Sequence, residues 1–145
     1  MDLFTSLHVS SSGMNAERTR MNLVSSNLAN ANSTRTEEGG PYKRKDAVFK
    51  AEPVQGSFAS KLQSFRREEP SSVSVAEIVE DQAPPRMQYD PSHPDANAEG
   101  YVALPNVNVV EEMTDMIAAT RAYEANVTAA QASKSMLLKT LEIGR

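Results

Sequence analysis

Residues 109–143 have the sequence VVEEMTDMIAATRAYEANVTAAQASKSMLLKTLEI, and this stretch decides the fold. Alternating steps of four and three residues from Val109 give a mostly apolar series: Val109, Met113, Met116, Thr120, Tyr123, Val127, Ala130, Lys134, Leu137 and Leu141. This heptad spacing predicts a long helix from about 109 to 143 that packs along a continuous seam. Asn108 is a suitable N-cap, and Glu111 stands where the acid of a capping box would.

A second series, made only of alanine, lies half a turn away from this seam: Ala118, Ala122, Ala125, Ala129 and Ala132. Alanine on the back of a helix lets another helix approach closely, whereas a helix with one partner usually carries charged residues there. We therefore predict that the helix packs on two faces. The alternative is that alanine only favours the helical conformation.

The other end of the chain has the same spacing. Counting from Leu3 gives eight positions, six of them apolar: Leu3, Leu7, Ser10, Met14, Glu17, Met21, Val24 and Leu28. A weaker second stripe of small or apolar residues comprises Val9, Ser12, Ala16, Thr19, Leu23 and Ser26. We predict a helix over about 3–30, ended by the Asn- and Ser-rich residues 25–34, whose side chains compete for backbone hydrogen bonds.

Residues 36–107 differ from both ends, because Pro and Gly interrupt short β-like runs at 42–51, 73–79 and 86–89. Residues 90–95 are predicted to be loop and 100–108 an extended connection, while Phe58, Leu62 and Phe65 are spaced for a short helical piece. The fold class expected is therefore α+β, with long terminal helices packing as a coiled coil around a small β-rich unit. The predicted segments are an N-terminal assembly helix (1–35), the middle unit (36–107) and a C-terminal assembly helix (108–145).

Composition narrows the possible functions. The net charge of −4 argues against a nucleic-acid partner. The absence of cysteine excludes disulfides, thiol nucleophiles and Cys-based metal sites. The first residues lack the basic and apolar regions of a cleaved signal peptide, and no stretch has the length of a membrane helix, so we expect neither a cleaved leader nor membrane insertion.

Candidate chemistry is limited to two histidines. His8 lies near the start of the first helix, where partial exposure is its ordinary explanation. His93 lies between Asp90 and Asp95, a grouping that can bind a metal or act as an acid–base pair, although a third strong ligand is missing nearby. We therefore predict no catalytic, cofactor-binding or metal site. A coiled-coil adaptor without enzymatic activity and a small hydrolase built on His93 and Asp95 remain as alternatives.

Several strings of residues resemble the flagellar rod and hook axial protein family. These are SNLANANSTRT (26–36), GGPY (39–42), YDPSHPDA (89–96), EGYVALPNVNVVEEM (99–113) and AYEAN (122–126). The signature positions within them are Asn27, Leu28, Ala29, Asn30, Tyr89, Asp90, Pro91, His93, Pro94, Pro105, Asn106 and Asn108.

The resemblance implies a structural subunit of the proximal rod of the bacterial flagellar basal body, which transmits torque and conducts exported protein. It also implies export without cleavage through the flagellar type III apparatus, a position in the rod across the periplasm, and contacts with copies of itself and with rod proteins of the FlgB, FlgF, FlgG and FliE types. The predicted assembly interface comprises Leu3, Leu7, Met14, Met21, Val24, Leu28, Val109, Met113, Met116, Tyr123, Ala125, Val127, Leu137 and Leu141.

Overall fold

The computed structural model describes residues 3–37, 39–54 and 70–143. Two long helices, α1 (Leu3–Ala29) and α2 (Val109–Ile143), flank a small β region in the chain. Its strands are β1 (Lys45–Pro53), β2 (Ser71–Glu80), β3 (Arg86–Tyr89) and β4 (Tyr101–Leu104). Two antiparallel sheets form, β1 with β2 and β3 with β4. The predicted α+β class, with long terminal helices packed together and a small β-rich middle, is confirmed.

Both helices begin and end close to the predicted positions, for the predicted reasons. Asn108 caps α2, since its Oδ1 accepts a hydrogen bond from the backbone N–H of Val110 at 3.1 Å. At the end of α1, Asn30 donates from Nδ2 to the carbonyl of Ser26 at 2.9 Å. A side chain thus takes up a carbonyl at the helix end, which is the competition that the Asn-rich segment predicts.

The β hairpin contains a register shift between Val48 and Phe49, so Ala76 has no direct partner on β1. The predicted runs at 42–51, 73–79 and 86–89 overlap β1, β2 and β3. The predicted extended connection at 100–108 begins as a strand, because Tyr101–Leu104 pairs with Arg86–Tyr89. The helical piece expected at Phe58, Leu62 and Phe65 lies outside the described residues.

The two helices run antiparallel along one contact face. Ser6 on α1 lies 3.3 Å from Ser133 on α2 through their hydroxyl oxygens. Farther along, Thr120 contacts the sulfur of Met21, and Asn27 reaches Glu112 near the start of α2. The residue number rises on one helix as it falls on the other, as in an αα-hairpin.

The face of α2 that packs against α1 differs from the predicted seam. Its most buried residues are Glu112, Ala119 and Ser133, which repeat at heptad spacing. The same face includes the seam residues Met116, Tyr123, Ala130 and Leu137, all half-buried. The remaining large apolar seam residues near the two ends, Val109, Met113 and Leu141, are exposed. The intramolecular face is thus rotated to one side of the apolar stripe, toward smaller and more polar residues.

A second face of α1 packs on the β hairpin. The hydroxyl of Ser12 accepts a hydrogen bond from the backbone N–H of Val73 on β2 at 3.1 Å. Ala16 on this side is 3 % exposed, and the guanidinium of Arg20 lies 5.7 Å from the ring centroid of Phe49. The weaker stripe of α1 therefore has a partner within the chain. In the part of the chain that the structure describes, no helix has the length and apolar character needed to span a bilayer.

Candidate assembly interface

A buried asparagine joins the end of α1 to the edge of β1. Asn27 is fully buried, and its Nδ2 donates to the carbonyl of Lys45 at 2.8 Å, while the N–H of Lys45 donates to its Oδ1 at 2.9 Å. A single carboxamide thus pairs with both backbone groups of one strand residue, as a neighbouring strand would. This arrangement closes the edge of β1 at Lys45 and holds the strand against the helix.

Glu112, in the first turns of α2, completes this connection. Its side chain is 1 % exposed, and it accepts from Asn27 Nδ2 at 3.0 Å and from Arg44 Nε at 2.6 Å. Arg44 also lies 3.3 Å from Asp46 and 3.8 Å from Asp115. The buried carboxylate therefore has both a charged and a neutral donor, which offsets the cost of removing it from water.

The neighbours of Arg44 change the pKa of its guanidinium. Partial burial acts to lower its pKa, but the hydrogen bond and charge of Glu112, with those of Asp46, outweigh this and raise the pKa above its ordinary value. Tyr42 is the fourth residue of this group of polar contacts, because its hydroxyl donates to Asn27 Oδ1 at 3.0 Å. We call Asn27, Tyr42, Arg44 and Glu112 the polar node. It joins α1, β1 and α2 at one end of the helix pair.

The sequence identified only part of this node. Asn27 is one of the signature residues, but its partner Glu112 is not singled out by the sequence, because the helix dipole explains an acid in the first turn without a specific contact. Glu111 and Glu112 lie about 100° apart on the helix and so face different directions, but no local pattern indicates which of them faces α1.

The signature loop after β3 is held by its own polar side chains. Asp90 Oδ1 accepts from the N–H of Ser92 at 3.1 Å and from its hydroxyl at 2.6 Å, and these bonds lower the pKa of Asp90. His93 Nδ1 accepts from the N–H of Asp95 at 3.1 Å, and Asp95 Oδ2 accepts from the hydroxyl of Thr34 at 2.8 Å. The Thr34 contact ties this loop to the segment that follows α1.

The two ends of the loop meet in an aromatic pair. The rings of Tyr89 and Tyr101 pack edge to face with their centroids 5.3 Å apart. Gly100 has a φ of +82°, and a Cβ at this position would lie 2.9 Å from Cε2 of Tyr89. Glycine is therefore required here both for its backbone conformation and for the close approach of the ring.

His93 and Asp95 hold the loop through hydrogen bonds to the N–H of Asp95 and to the hydroxyl of Thr34. Among the described residues, no group of three or more His, Asp or Glu side chains could hold a metal ion. The geometry of this pair thus gives the hydrolase alternative no support.

The predicted interface residues occupy three kinds of environment. Val24 is buried, and eight others are half-buried along the two helices: Leu3, Leu7, Met14, Met21, Leu28, Met116, Tyr123 and Val127. Leu137 is half-buried near the end of α2. Val109, Met113, Ala125 and Leu141 are exposed.

Other exposed apolar residues of the helices were missed by the heptad count. They are Phe4, Val110, Ile117, Met136, Leu138 and Ile143. Their signal is present in the sequence, since all are large and apolar, but each falls off the strict alternation of four and three. A helix with several partners carries apolar residues outside a single seam.

Small and polar residues line much of the contact between the helices. A Cβ on Gly13 would lie 3.0 Å from Oδ1 and Nδ2 of Asn126, so the helices approach closely at this point. Ser10 and Ser133 are buried, and Ala119 is fully buried. The pair therefore encloses small side chains and leaves much of its large apolar surface outside.

Comparison with known proteins identifies the family. Residues 7–35 match the family described as flagella basal body rod protein, and residues 98–143 match that described as flagellar basal body rod FlgEFG protein C-terminal. The chain is 47 % identical to the flagellar basal-body rod protein FlgC of Bacillus subtilis, with all of both chains covered. It is 44 % identical to FlgC of Borreliella burgdorferi, covering 99 % of this chain and 98 % of that one. With FlgC of Escherichia coli O6:H1 the identity is 39 %, again over both whole chains.

The chain belongs to the FlgC family of flagellar basal-body rod proteins. The family resemblance seen in the sequence is confirmed, as are the predictions of a structural rod subunit and of a protein that is not an enzyme. FlgC membership supports interaction with other rod components and location in the flagellar basal body. The two matched family regions cover residues 7–29 of α1 and all of α2, including Asn27 and Glu112 of the polar node.

Proposed function

We propose that this FlgC-family chain polymerises through α1 and α2 into the wall of the rod. The observation that carries the proposal is the placement of apolar surface on α2. Val110 is 72 % exposed, Ile117 is 55 % exposed and Leu141 is 68 % exposed, although small residues of the same helix are buried against α1. Exposed apolar residues along one element indicate a surface that other chains cover.

The energetics favour several partners over one. Burying one large apolar side chain contributes about 1.5–3 kcal/mol. Association costs at least about 4 kcal/mol in lost freedom of motion, so a single small patch gives weak binding. Exposed apolar residues occur at both ends of α2, at Val110 and Met113 and again at Leu138 and Leu141. A neighbour at each end supplies more burial than one compact dimer contact, which favours extended assembly over a discrete adaptor.

The exposed and the half-buried residues of the predicted interface have different roles in the proposed assembly. Met113, Leu141 and the exposed Ala125 contact neighbouring subunits directly. The half-buried residues of the two helices form the rims of the same contacts. Residues 1–35 and 108–145 thus act as assembly segments, and residues 36–107 act as a unit that the polar node holds against them.

Membership of the FlgC family supports a more specific proposal for the neighbours, the export route and the position of the chain. Neighbours in the rod would be copies of this chain and proteins of the FlgB, FlgF, FlgG and FliE types, and the chain would reach the rod uncleaved through the flagellar type III export apparatus. In the proximal rod across the periplasm, the polar node would transmit torque between the helices and the middle unit, because buried, charge-compensated contacts resist displacement.

Substitution of an exposed apolar residue tests the proposal. Ile117→Asp should leave the free chain folded and strongly reduce rod assembly, measured as the amount of this subunit in isolated basal bodies and as swimming in a strain that lacks its own copy. A buried contact that receives an unpaired charge is strongly weakened. Val79→Asp places the same charge at an exposed position of β2, where Val79 is 42 % exposed. Wild-type assembly of Ile117→Asp would count against the helices as the assembly surface.

A further inference from the structure

Glu17 is an anomaly within the α1–α2 pair. Its Oε2 is shielded from solvent and has no hydrogen-bond partner, and no other side-chain oxygen or nitrogen in residues 3–37, 39–54 and 70–143 is in this state. Its neighbours one turn away on α1 are Gly13, which approaches Asn126, and Met21, which contacts Thr120. Glu17 therefore faces the middle of α2, within the contact between the helices.

The cations nearest along the chain are directed elsewhere. Arg18 donates to the side chain of Asn15 at 3.3 Å, and Arg20 lies over the ring of Phe49. On the facing segment of α2, Arg121 is exposed, and it lies nearly half a turn from both Ala119 and Tyr123, which are turned toward α1. Glu112 differs from Glu17 in this respect, because the buried carboxylate of Glu112 accepts hydrogen bonds from both Arg44 and Asn27.

An acceptor buried without a donor destabilises the fold that contains it. Residues that violate such a rule in a natural protein are often functional. Glu17 as a whole is only half-buried, as are Met14 and Met21 on the same helix, so part of the residue remains exposed at the edge of the α1–α2 contact although Oε2 is shielded. A helix laid along this edge would cover the methionines and the exposed part of Glu17, and a change of the Glu17 rotamer would bring its carboxylate to a donor on that helix.

We propose that Glu17 accepts a cationic side chain, an arginine or a lysine, from a helix of a neighbouring subunit in the assembled rod. The inference rests on the proposed function, because it requires that α1 and α2 pack against other chains. A charged residue among apolar neighbours in a helix seam sets which register is favourable, because other registers leave the charge without its partner. The acid would thus select the position of the neighbour along α1.

The proposal predicts that replacement of Glu17 stabilises the free chain but weakens its assembly into the rod. Glu17→Leu should raise the melting temperature of the free chain, measured by circular dichroism, because it removes the unpaired acceptor. The same variant should lower the amount of subunit in isolated basal bodies by about tenfold, which corresponds to about 1.4 kcal/mol. Glu77→Leu, at an exposed position of β2, is the matched control and should change neither quantity.

A lower melting temperature for Glu17→Leu would overturn the inference, because the acid would then have a partner within the chain. Undiminished assembly would also overturn it. If Glu17→Leu does not accumulate, Glu17→Gln decides, since it keeps an acceptor oxygen and removes the charge. Glu17→Gln should raise the melting temperature and reduce assembly less than tenfold. An unchanged or lower melting temperature, or wild-type assembly, would reject the proposal.

The Ile117→Asp variant distinguishes this proposal from the proposed function. If Ile117→Asp assembles normally, the proposal of helix-mediated assembly fails. If only the Glu17 variants assemble normally, the cationic contact alone is rejected.

Discussion

At one end of the α1–α2 pair, buried Asn27 and Glu112 join the helices to β1, whereas at the other end Phe4, Leu141 and Ile143 are exposed. The first end carries the charges of Arg44 and Glu112, which pair with each other. The second end has Ser6 and Ser133 in contact and large apolar residues outside. The difference indicates that the polar groups of the node end find their partners within the chain, whereas the far end leaves apolar surface exposed, as Val110 and Met113 also do beside the node.

Removal of Glu112 should have the largest effect on this comparison. Glu112→Ala leaves the Arg44 guanidinium and an Asn27 N–H without their buried acceptor, so we expect a loss of about 3 kcal/mol in the free energy of unfolding. Denaturant titration followed by circular dichroism measures it. The adjacent Glu111 is exposed, and Glu111→Ala should change stability by less than about 0.5 kcal/mol. Equal effects of the two variants would mean that the node does not hold this end together.

Enlargement of Gly13 should have an intermediate effect, because it tests the close approach between the two ends. Gly13→Leu introduces a side chain where even a Cβ lies 3.0 Å from Asn126, and overpacking of this kind costs about 2 kcal/mol. Thermal unfolding measures the change. Ser11→Leu, at an exposed position of the same helix, should be nearly neutral. A stable Gly13→Leu variant would show that the helices can separate here without loss.

Substitution at the far end should have the smallest effect on the free chain. Leu141 is 68 % exposed, so Leu141→Asp should change the free energy of unfolding by less than about 0.5 kcal/mol. The same variant should nevertheless reduce the amount of subunit in isolated basal bodies, because the lost apolar surface belongs to a contact between chains. Thr140→Asp adds the same charge at the adjacent exposed position and shows how much of the loss is due to charge alone. A large loss of stability in Leu141→Asp would contradict the division between the two ends.

The elements of the fold were predictable from local patterns. Heptad spacing and the Asn108 cap located α2, and the Asn-rich segment located the end of α1, because these signals act over a few residues. The strands β1, β2 and β3 followed from β-like runs between Pro and Gly. The second strand of the small sheet was missed as a strand, since Tyr101–Leu104 is short and becomes one only by pairing with Arg86–Tyr89.

The contact face of the helices was less predictable. Apolar periodicity selected Val109, Met113 and Leu141, yet the chain buries Glu112, Ala119 and Ser133 against α1. Periodicity reports which residues avoid water in the final state, and it does not distinguish a partner helix in the same chain from one in a neighbour. In an assembling subunit the two sets differ, because surface left exposed by the first contact remains available for the second.

By itself, the sequence determined the α+β class, the approximate bounds of both helices and, through its signature strings, the family. The tertiary structure alone decided that Asn27 pairs with the edge of β1, that Glu112 is compensated by Arg44, and that Glu17 is not compensated within the described chain. Propensity and periodicity are local, whereas the partner of a buried polar group depends on residues far away in the chain. Asn27 and Glu112 are 85 residues apart, a separation over which no pattern in the sequence indicates which donor meets which acceptor.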